Sequence, residues 1–119
     1  MKTKKVTQLE MTIGTPATAV TLISRKDDSM HLSLRGQENL VAVELAPMKV
    51  AALVNSLVSA VYCNENRTIE LKHSDAGFIA VTVANWRVTL NLTNGGQTVS
   101  VELTRDGALA LVDSIHTLY

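Results

Sequence analysis

Four cationic side chains stand among hydroxyl and amide side chains, in segments where polar and apolar residues alternate. Arg and Lys can pair with phosphate, and hydroxyls and amides can hydrogen-bond phosphate and sugar oxygens. Every second residue of an alternating segment faces the same way, so the pattern predicts that these cations lie on the outward faces of strands. The candidate nucleic-acid-binding residues are Arg25, Arg35, Lys72 and Arg87.

The same segments also fit a simpler interpretation, because Thr and Ser are ordinary solvent-facing strand residues. Base stacking has few candidates: the chain has one Trp, two Tyr and one Phe, and of these only Phe78 is expected to face outward. Four carboxylates share the outward phase of the cations and would repel a phosphate chain: Glu10, Glu44, Glu70 and Glu102.

Residues that typically carry catalysis or bind metals are scattered. His31, His73 and His116 have no second ligand at a recognised metal spacing. Cys63, the only cysteine, ends an apolar helical segment and is interpreted as a packed small side chain. No nucleophile with a neighbouring base can be assembled, so we predict a non-enzyme with no catalytic residue, no metal and no cofactor.

Composition limits the class of protein. The chain has 119 residues, 46% of them hydrophobic and 18% charged, which fits one compact domain. The net charge is zero, so a basic excess does not argue for nucleic acid or for an anionic membrane, although local patches still matter. A single cysteine, the lack of a signal-peptide core and the lack of an apolar run near 20 residues predict a cytoplasmic protein without a membrane partner.

One pattern occurs twice. An alternating segment, Val41–Leu45, runs into a helical pattern over Val50–Val61, and a second, Val99–Leu103, runs into one over Ala108–Tyr119. Equivalent positions of these segments are 58 residues apart. Three further alternating runs precede each copy, and at the same offset Ile69 and Leu71 would correspond to Met11 and Ile13.

The repeat predicts an α+β fold built from tandem duplicated β-β-β-β-α units, with antiparallel sheets covered by two helices. We expect a single domain, residues 1–119, made of two repeats at about 6–63 and 67–119. A different order of similar elements, as in a pair of clamp-like subdomains, is the alternative topology.

Local signals mark the ends of the elements. Pro47 is typical of a first helical turn, Thr104 of a helix N-cap, and Asn94-Gly95-Gly96 of a hairpin turn. Trp86 is expected to face inward. Twelve further residues are predicted to be buried: Leu32, Leu34, Val43, Leu53, Val54, Leu57, Leu90, Leu92, Val101, Leu111, Val112 and Ile115.

A duplicated β-β-β-β-α unit resembles the Whirly and Pur-alpha group of single-strand nucleic-acid binders. The resemblance lies in the order of the elements and covers nearly the whole chain. It implies two four-stranded sheets and a single strand of DNA or RNA laid across a sheet through backbone contacts. No motif of that group is matched, so the resemblance assigns no binding residue.

The side of the first helix away from its apolar stripe has no charge, and Lys49 is the only charged residue from Pro47 to Cys63. Solvated helices usually display several charges, so this side is expected to be covered, by the other helix or by a second subunit. The terminal strand Val99–Leu103 has only Glu102 to protect its edge, which also favours a homodimer or larger homo-oligomer. The candidate interface residues are Ala52, Asn55, Ser56 and Ser59.

Two functions remain open: single-strand nucleic-acid binding, and a protein-interaction or scaffold module that uses a sheet edge or helix face. Clustering of the four cations away from the four glutamates would favour the first. An exposed apolar patch around Ile23, Leu40 and Phe78 would favour the second.

Overall fold

A computed structural model of the protein describes residues 7–63, 65–72, 77–85 and 87–119. The predictions for His73 and Trp86 therefore lie outside the described residues. The elements in chain order are β1 Gln8–Ile13, β2 Thr18–Ser24, β3 Met30–Arg35, β4 Leu40–Leu45, α1 Pro47–Tyr62, β5 Arg67–Lys72, β6 Gly77–Ala84, β7 Arg87–Asn94, β8 Gln97–Leu103 and α2 Arg105–Leu118.

The strands form two four-stranded antiparallel sheets, each followed by one helix. The first sheet has the order β1-β2-β3-β4 and the second β5-β6-β7-β8, so every neighbour in a sheet is also a neighbour in the chain. The predicted α+β class and the repeated β-β-β-β-α order are confirmed. Neither helix is both long enough and apolar enough to cross a membrane, as far as the described residues go.

The residues predicted to begin the helices and to form the hairpin turn do so in the structure. Pro47 stands in the first turn of α1, where its missing N–H leaves no intrahelical hydrogen bond unmade. The Thr104 hydroxyl accepts a hydrogen bond from the Gly107 N–H at 3.0 Å and so caps α2. Gly95 and Gly96, between β7 and β8, have φ of 61° and 82°, which a tight hairpin turn requires.

Each helix packs on the sheet of the other repeat. α1 lies against β5 and β6, and α2 lies against β1 and β2. Polar contacts follow the same exchange: Arg67 on β5 donates to the Ser59 hydroxyl on α1, and Ser114 on α2 donates to the Met11 sulfur on β1 at 3.4 Å. One cluster of buried apolar side chains contains residues of both sheets and both helices. The two repeats therefore share one core.

The inner faces of the sheets hold nearly all the predicted core. Of the twelve residues predicted to be buried, eleven are buried, but Val54 is only half-buried against the cluster. The buried side of α1 includes Ser56 and Ala60, so it is rotated about the helix axis relative to the apolar stripe in the sequence. Val54 is consequently at the margin of the core.

The repeat offset changes along the chain. β3 and β4 match β7 and β8 at 58 residues, but Ile69 and Leu71 lie opposite Val81 and Ile79, as Leu9 and Met11 lie opposite Leu22 and Val20. The expected match of Ile69 and Leu71 with Met11 and Ile13 is therefore wrong by two residues. One of the two comes from the β2–β3 and β6–β7 connections, which differ in length, and the other from the first connection of each repeat.

The edge of β8 is covered within the chain. Thr15, in the β1–β2 turn, exchanges two backbone hydrogen bonds with Glu102, at 2.9 and 3.0 Å. The edge of β4 receives one hydrogen bond, from the Asn94 side chain to the Ala42 carbonyl at 2.7 Å. The expectation that β8 has only the charge of Glu102 to protect it is thus corrected.

The turn can approach β8 so closely because it contains Gly14. This residue has φ of 73°, and a Cβ there would lie 2.2 Å from a Val101 methyl carbon and 2.6 Å from the Glu102 carbonyl oxygen. Both the backbone conformation and the space therefore require glycine.

We expect Gly14→Ala to lower the free energy of unfolding by about 2–5 kcal/mol, because a left-handed alanine costs about 1–2 kcal/mol and overpacking adds about 1–3 kcal/mol. Gly95→Ala is the matched control: its φ is also positive, but a Cβ there would meet nothing within 4 Å. Urea unfolding of the two variants measures the difference. Equal losses would contradict the close approach of the turn to β8.

Candidate functional site

The face of each sheet that points away from the helices, here called its outer face, is uncovered by any described element. On the first sheet, Thr21 and Ser33 lie opposite each other at its centre. A concavity of about 670 Å³ lies over this face. Its rim includes Glu10, Thr12 and Arg35. The sequence alternation thus correctly predicted a polar outer face, and the structure adds its concave shape.

Three polar side chains meet at one end of this face. One Glu44 carboxylate oxygen accepts a hydrogen bond from Arg25 at 3.0 Å and lies 2.9 Å from His31 Nδ1. His31 and Glu44 are directly opposite on β3 and β4, and Arg25 follows the end of β2. Burial opposes ionisation of Glu44, but the hydrogen bonds from Arg25 and His31 outweigh it and hold the pKa of this carboxyl below its ordinary 4.5.

Arg35 lies at the other end of the same face, opposite Leu40 on β4. It is exposed and makes no ion pair within the described part of the chain. Arg25 and Arg35 are therefore on one sheet but differ in ion pairing. Arg25 is paired with a carboxylate, and Arg35 is available to a ligand.

The outer face of the second sheet carries hydroxyl and amide groups that pair across the strands. Thr68 and Thr82 lie 3.2 Å apart, and Thr93 and Thr98 lie 2.8 Å apart, oxygen to oxygen. Lys72 lies directly opposite Phe78, which is half-buried, and Phe78 lies opposite Thr93. The side chain of Lys72 is exposed and, among the described residues, has no ion-pair partner.

Arg87, the first residue of β7, is on this second face and, like Arg25, lies near a glutamate. Its Nε lies 3.6 Å from a carboxylate oxygen of Glu102, and its side chain is 72% exposed. Glu102 occupies the position of Glu44 at the 58-residue offset. The contact is longer and more exposed than that of Arg25 with Glu44.

The four predicted cations are thus divided between two faces and are not separated from the glutamates. Each face carries two cations and two carboxylates, and one cation on each face is paired. The first face has Arg25, Arg35, Glu10 and Glu44, and the second has Lys72, Arg87, Glu70 and Glu102. The clustering of the four cations that would favour nucleic acid therefore does not occur, and the two cations without a described ion pair, Arg35 and Lys72, lie on different sheets.

The apolar patch that would favour a protein partner does not form on the sheets. Ile23 and Leu40 lie at opposite ends of the first outer face, because they pair with His31 and Arg35, four residues apart on β3. Phe78 is on the second sheet. Only Leu40 is largely exposed, at 52%.

An uncharged exposed surface does exist on α1. Of the predicted interface residues, Asn55 is exposed, Ala52 and Ser59 are half-buried, and Ser56 is buried at 6% exposure. The Ser56 hydroxyl donates to the Ala52 carbonyl at 2.7 Å, so Ser56 is covered and satisfied within the chain. The uncovered side of α1 instead centres on Asn55 and includes Tyr62, at 69% exposure, and Met48, at 84%, which the sequence did not assign to it.

A groove of about 590 Å³ borders this surface, between the first half of α1 and the last turn of α2. It is lined by Val54, Asn55, Ile115 and Tyr119 among others. The Tyr119 hydroxyl lies 3.1 Å from two backbone carbonyls, those of Asp28 and Ser29, and so ties the end of α2 to the β2–β3 turn. Burial and the Asp28 and Asp27 carboxylates raise the pKa of Tyr119 above 10.0. The phenol therefore remains a donor.

The described residues form no cluster suited to a metal ion. No three His, Cys, Asp or Glu side chains come together there as a metal ion would require. The described contact of His31 is with Glu44, His116 is exposed beside the groove, and Cys63 is a half-buried free thiol at the end of α1. The arrangement offers hydrogen bonds and charge to a ligand.

Comparison of the chain with protein-family models, with curated proteins and with solved structures found no match.

The depressed pKa of Glu44 predicts a pH dependence. A carboxyl with a lower pKa in the folded state contributes stability above its unfolded value of 4.5, and this contribution is lost as the pH falls through the folded value. We therefore expect Glu44→Gln to lower the Tm at pH 7 and to lower it less at pH 3, below the unfolded value. Glu102→Gln is the matched control and should lower the Tm less at pH 7, because the Glu102 carboxylate has one ion-pair partner among the described residues, Arg87, at 3.6 Å. A Glu44→Gln deficit that stays the same at both pH values would refute this account.

Proposed function

We propose that the protein is a non-enzymatic single-stranded nucleic-acid-binding protein that holds DNA or RNA across an outer sheet face. One observation supports this most: each sheet leaves an outer face with hydroxyl groups uncovered by any described element, and on each such face one cation, Arg35 or Lys72, has no ion-pair partner among the described residues. Hydroxyls, amides and cations are the groups that contact sugar and phosphate without reading sequence.

The two faces offer different contacts. The first is concave and has Thr21 and Ser33 on its floor, with Arg35 at the rim. It has no Phe, Tyr or Trp, because the first aromatic residue of these types in the chain is Tyr62. The second face places Lys72 directly beside Phe78, which provides a phosphate contact next to a ring on which one base can stack.

The charges set the expected strength of binding. Arg25 and Arg87 are paired with Glu44 and Glu102, so a strand would meet only one or two available cations on each face. Each phosphate contact to a single strand contributes about −0.7 to the slope of log K against log salt. We therefore expect weak binding with a shallow slope, roughly −0.7 to −1.4 for each face.

Two substitutions distinguish the faces. Arg35→Ala should reduce affinity for a single-stranded oligonucleotide and lower the salt slope by about 0.7 if the first face binds it, and Lys72→Ala should do so if the second face does. Arg105→Ala is the control, since Arg105 is an exposed cation at the start of α2 and belongs to neither face. Fluorescence anisotropy with labelled oligonucleotides at two salt concentrations provides the measurement.

Glu44→Gln should have the opposite effect on the first face, because it removes a carboxylate and releases Arg25. Two results would reject the proposal: no binding of any oligonucleotide at low salt, or an equal effect of Arg105→Ala and both face variants.

A second candidate function, a protein-interaction module, is favoured by the uncharged outer side of α1. Met48 and Tyr62 are two of the four large apolar side chains that are most exposed among the described residues. Exposed apolar surface of this kind is typical of contact with another protein. This function uses a different surface and is compatible with an open sheet face.

A further inference from the structure

We propose that the outer side of α1 binds the same surface of a second copy of the chain, in a twofold-symmetric antiparallel helix pair centred on Asn55. The surface is the part of α1 that faces away from both sheets, here called the α1 outer side. It comprises Met48, Ala51, Ala52, Asn55, Val58, Ser59 and Tyr62.

The α1 outer side has no charged residue over four turns of helix. Lys49, the single charge of α1, is half-buried and seven residues before Ser56, so it lies on the covered side of the helix. An exposed helix of a monomer normally carries charges on this side. The side chains present are small, amide or apolar, and Met48 and Tyr62 are mostly in solvent.

The lack of charge on the α1 outer side favours the same surface of a second copy as its occupant. Each outer sheet face carries cations and carboxylates, and the exposed side of α2 carries Arg105, Asp106 and Asp113. Pressing such a surface against the α1 outer side would remove charges from water without a partner, which is costly. The α1 outer side itself presents no such charges, and the net charge of zero leaves no long-range repulsion between copies.

The spacing of the residues favours an antiparallel twofold arrangement. Met48 and Tyr62 are each seven residues from Asn55 and lie on nearly the same line along the helix. A twofold axis at Asn55 brings Met48 of one copy beside Tyr62 of the other, and a thioether against an aromatic ring is a favourable contact. The two Asn55 amides then meet at the axis, where each can donate to and accept from its twin.

Small residues around the centre permit the helices to approach closely. Ala51, Ala52 and Ser59 flank Asn55, so no large side chain holds the two helix axes apart. α1 has 16 residues and is about 24 Å long, which is short for an interface of the usual 800 Å² or so per partner. We therefore expect a dimer with a dissociation constant in the micromolar range.

A matched pair of substitutions tests the surface. Ala51 and Ala110 are both exposed alanines within helices, Ala51 on the α1 outer side and Ala110 on α2. Ala51→Arg should give the 12.9 kDa mass of one chain at concentrations where the unchanged protein has twice that mass. Ala110→Arg should leave the dimer intact. Sedimentation velocity from about 1 to 300 µM, with circular dichroism to verify folding, provides the readout.

Met48→Glu is a second variant with little risk to the fold, because this side chain is 84% exposed. It should also dissociate the dimer. A mass of one chain at every concentration of the unchanged protein would overturn the proposal, as would an oligomer that survives both Ala51→Arg and Met48→Glu.

Cross-linking tests the position of the axis. With Cys63→Ser as background, Asn55→Cys should be joined to its own copy by a short bismaleimide, and Ala110→Cys should not. A dimer that is not cross-linked through position 55 would overturn the antiparallel arrangement. Oligonucleotide binding by the Ala51→Arg monomer separates this inference from the nucleic-acid proposal, since the sheet faces are unchanged in it.

Discussion

Each helix buries the inner face of the sheet that it does not follow, and the remaining features of the fold depend on this exchange. α1 covers β5 and β6, and α2 covers β1 and β2. A single repeat would lack the helix that covers β1 and β2, or β5 and β6, and its own helix contacts the last strand of its own sheet. Apolar side chains such as Leu32 or Leu90 would then lose part of their cover. The burial of apolar surface that stabilises the fold is therefore available only when both repeats are folded together.

The exchange also determines which surfaces remain for function. Since both helices lie on inner faces, the outer face of each sheet is left uncovered by the described elements, with its hydroxyls and one cation that has no ion-pair partner among the described residues. The helices contact each other as well as the sheets, so α1 retains only one free side, the uncharged one around Asn55. The strand β8 is paired at one position of its edge within the chain, because Thr15 pairs with Glu102.

Local chemistry made much of the fold predictable. Alternation identified the strands, Pro47 and Thr104 marked the helix starts, and the 58-residue offset identified the repeat. The failures have physical causes. Val54 was expected to be buried but is half-buried, and Ser56 was expected at an interface but is buried within the chain. The reason is that α1 is covered from more than one direction, which a single apolar stripe does not reveal. The first strands of the two repeats were aligned with an error of two residues, because the turn lengths differ between the repeats. Only the pairing of residues across the strands reveals this shift.

The site was less predictable than the fold because it depends on pairing across strands. The alternation of polar and apolar residues placed Arg25, His31 and Glu44 separately on the outward side of strands. Whether they contact one another depends on the register of β2, β3 and β4. The same is true of Arg87 with Glu102, so the outward phase alone does not show that two of the four candidate cations are paired with glutamates. Contacts between distant segments, such as Tyr119 with the Asp28 carbonyl, have no local signal in the sequence.

The shared core is tested most directly by native-state hydrogen exchange of amides in the two inner strands β3 and β7. If the helices are exchanged as described, the sheets open together, so the most protected amides near Leu32 and Leu90 should have the same free energy of opening. Leu111→Ala, in the helix that covers the first sheet, should lower that free energy equally in both strands. Loss of protection in β3 with unchanged protection in β7 would contradict the account, because it would mean that the first sheet unfolds alone.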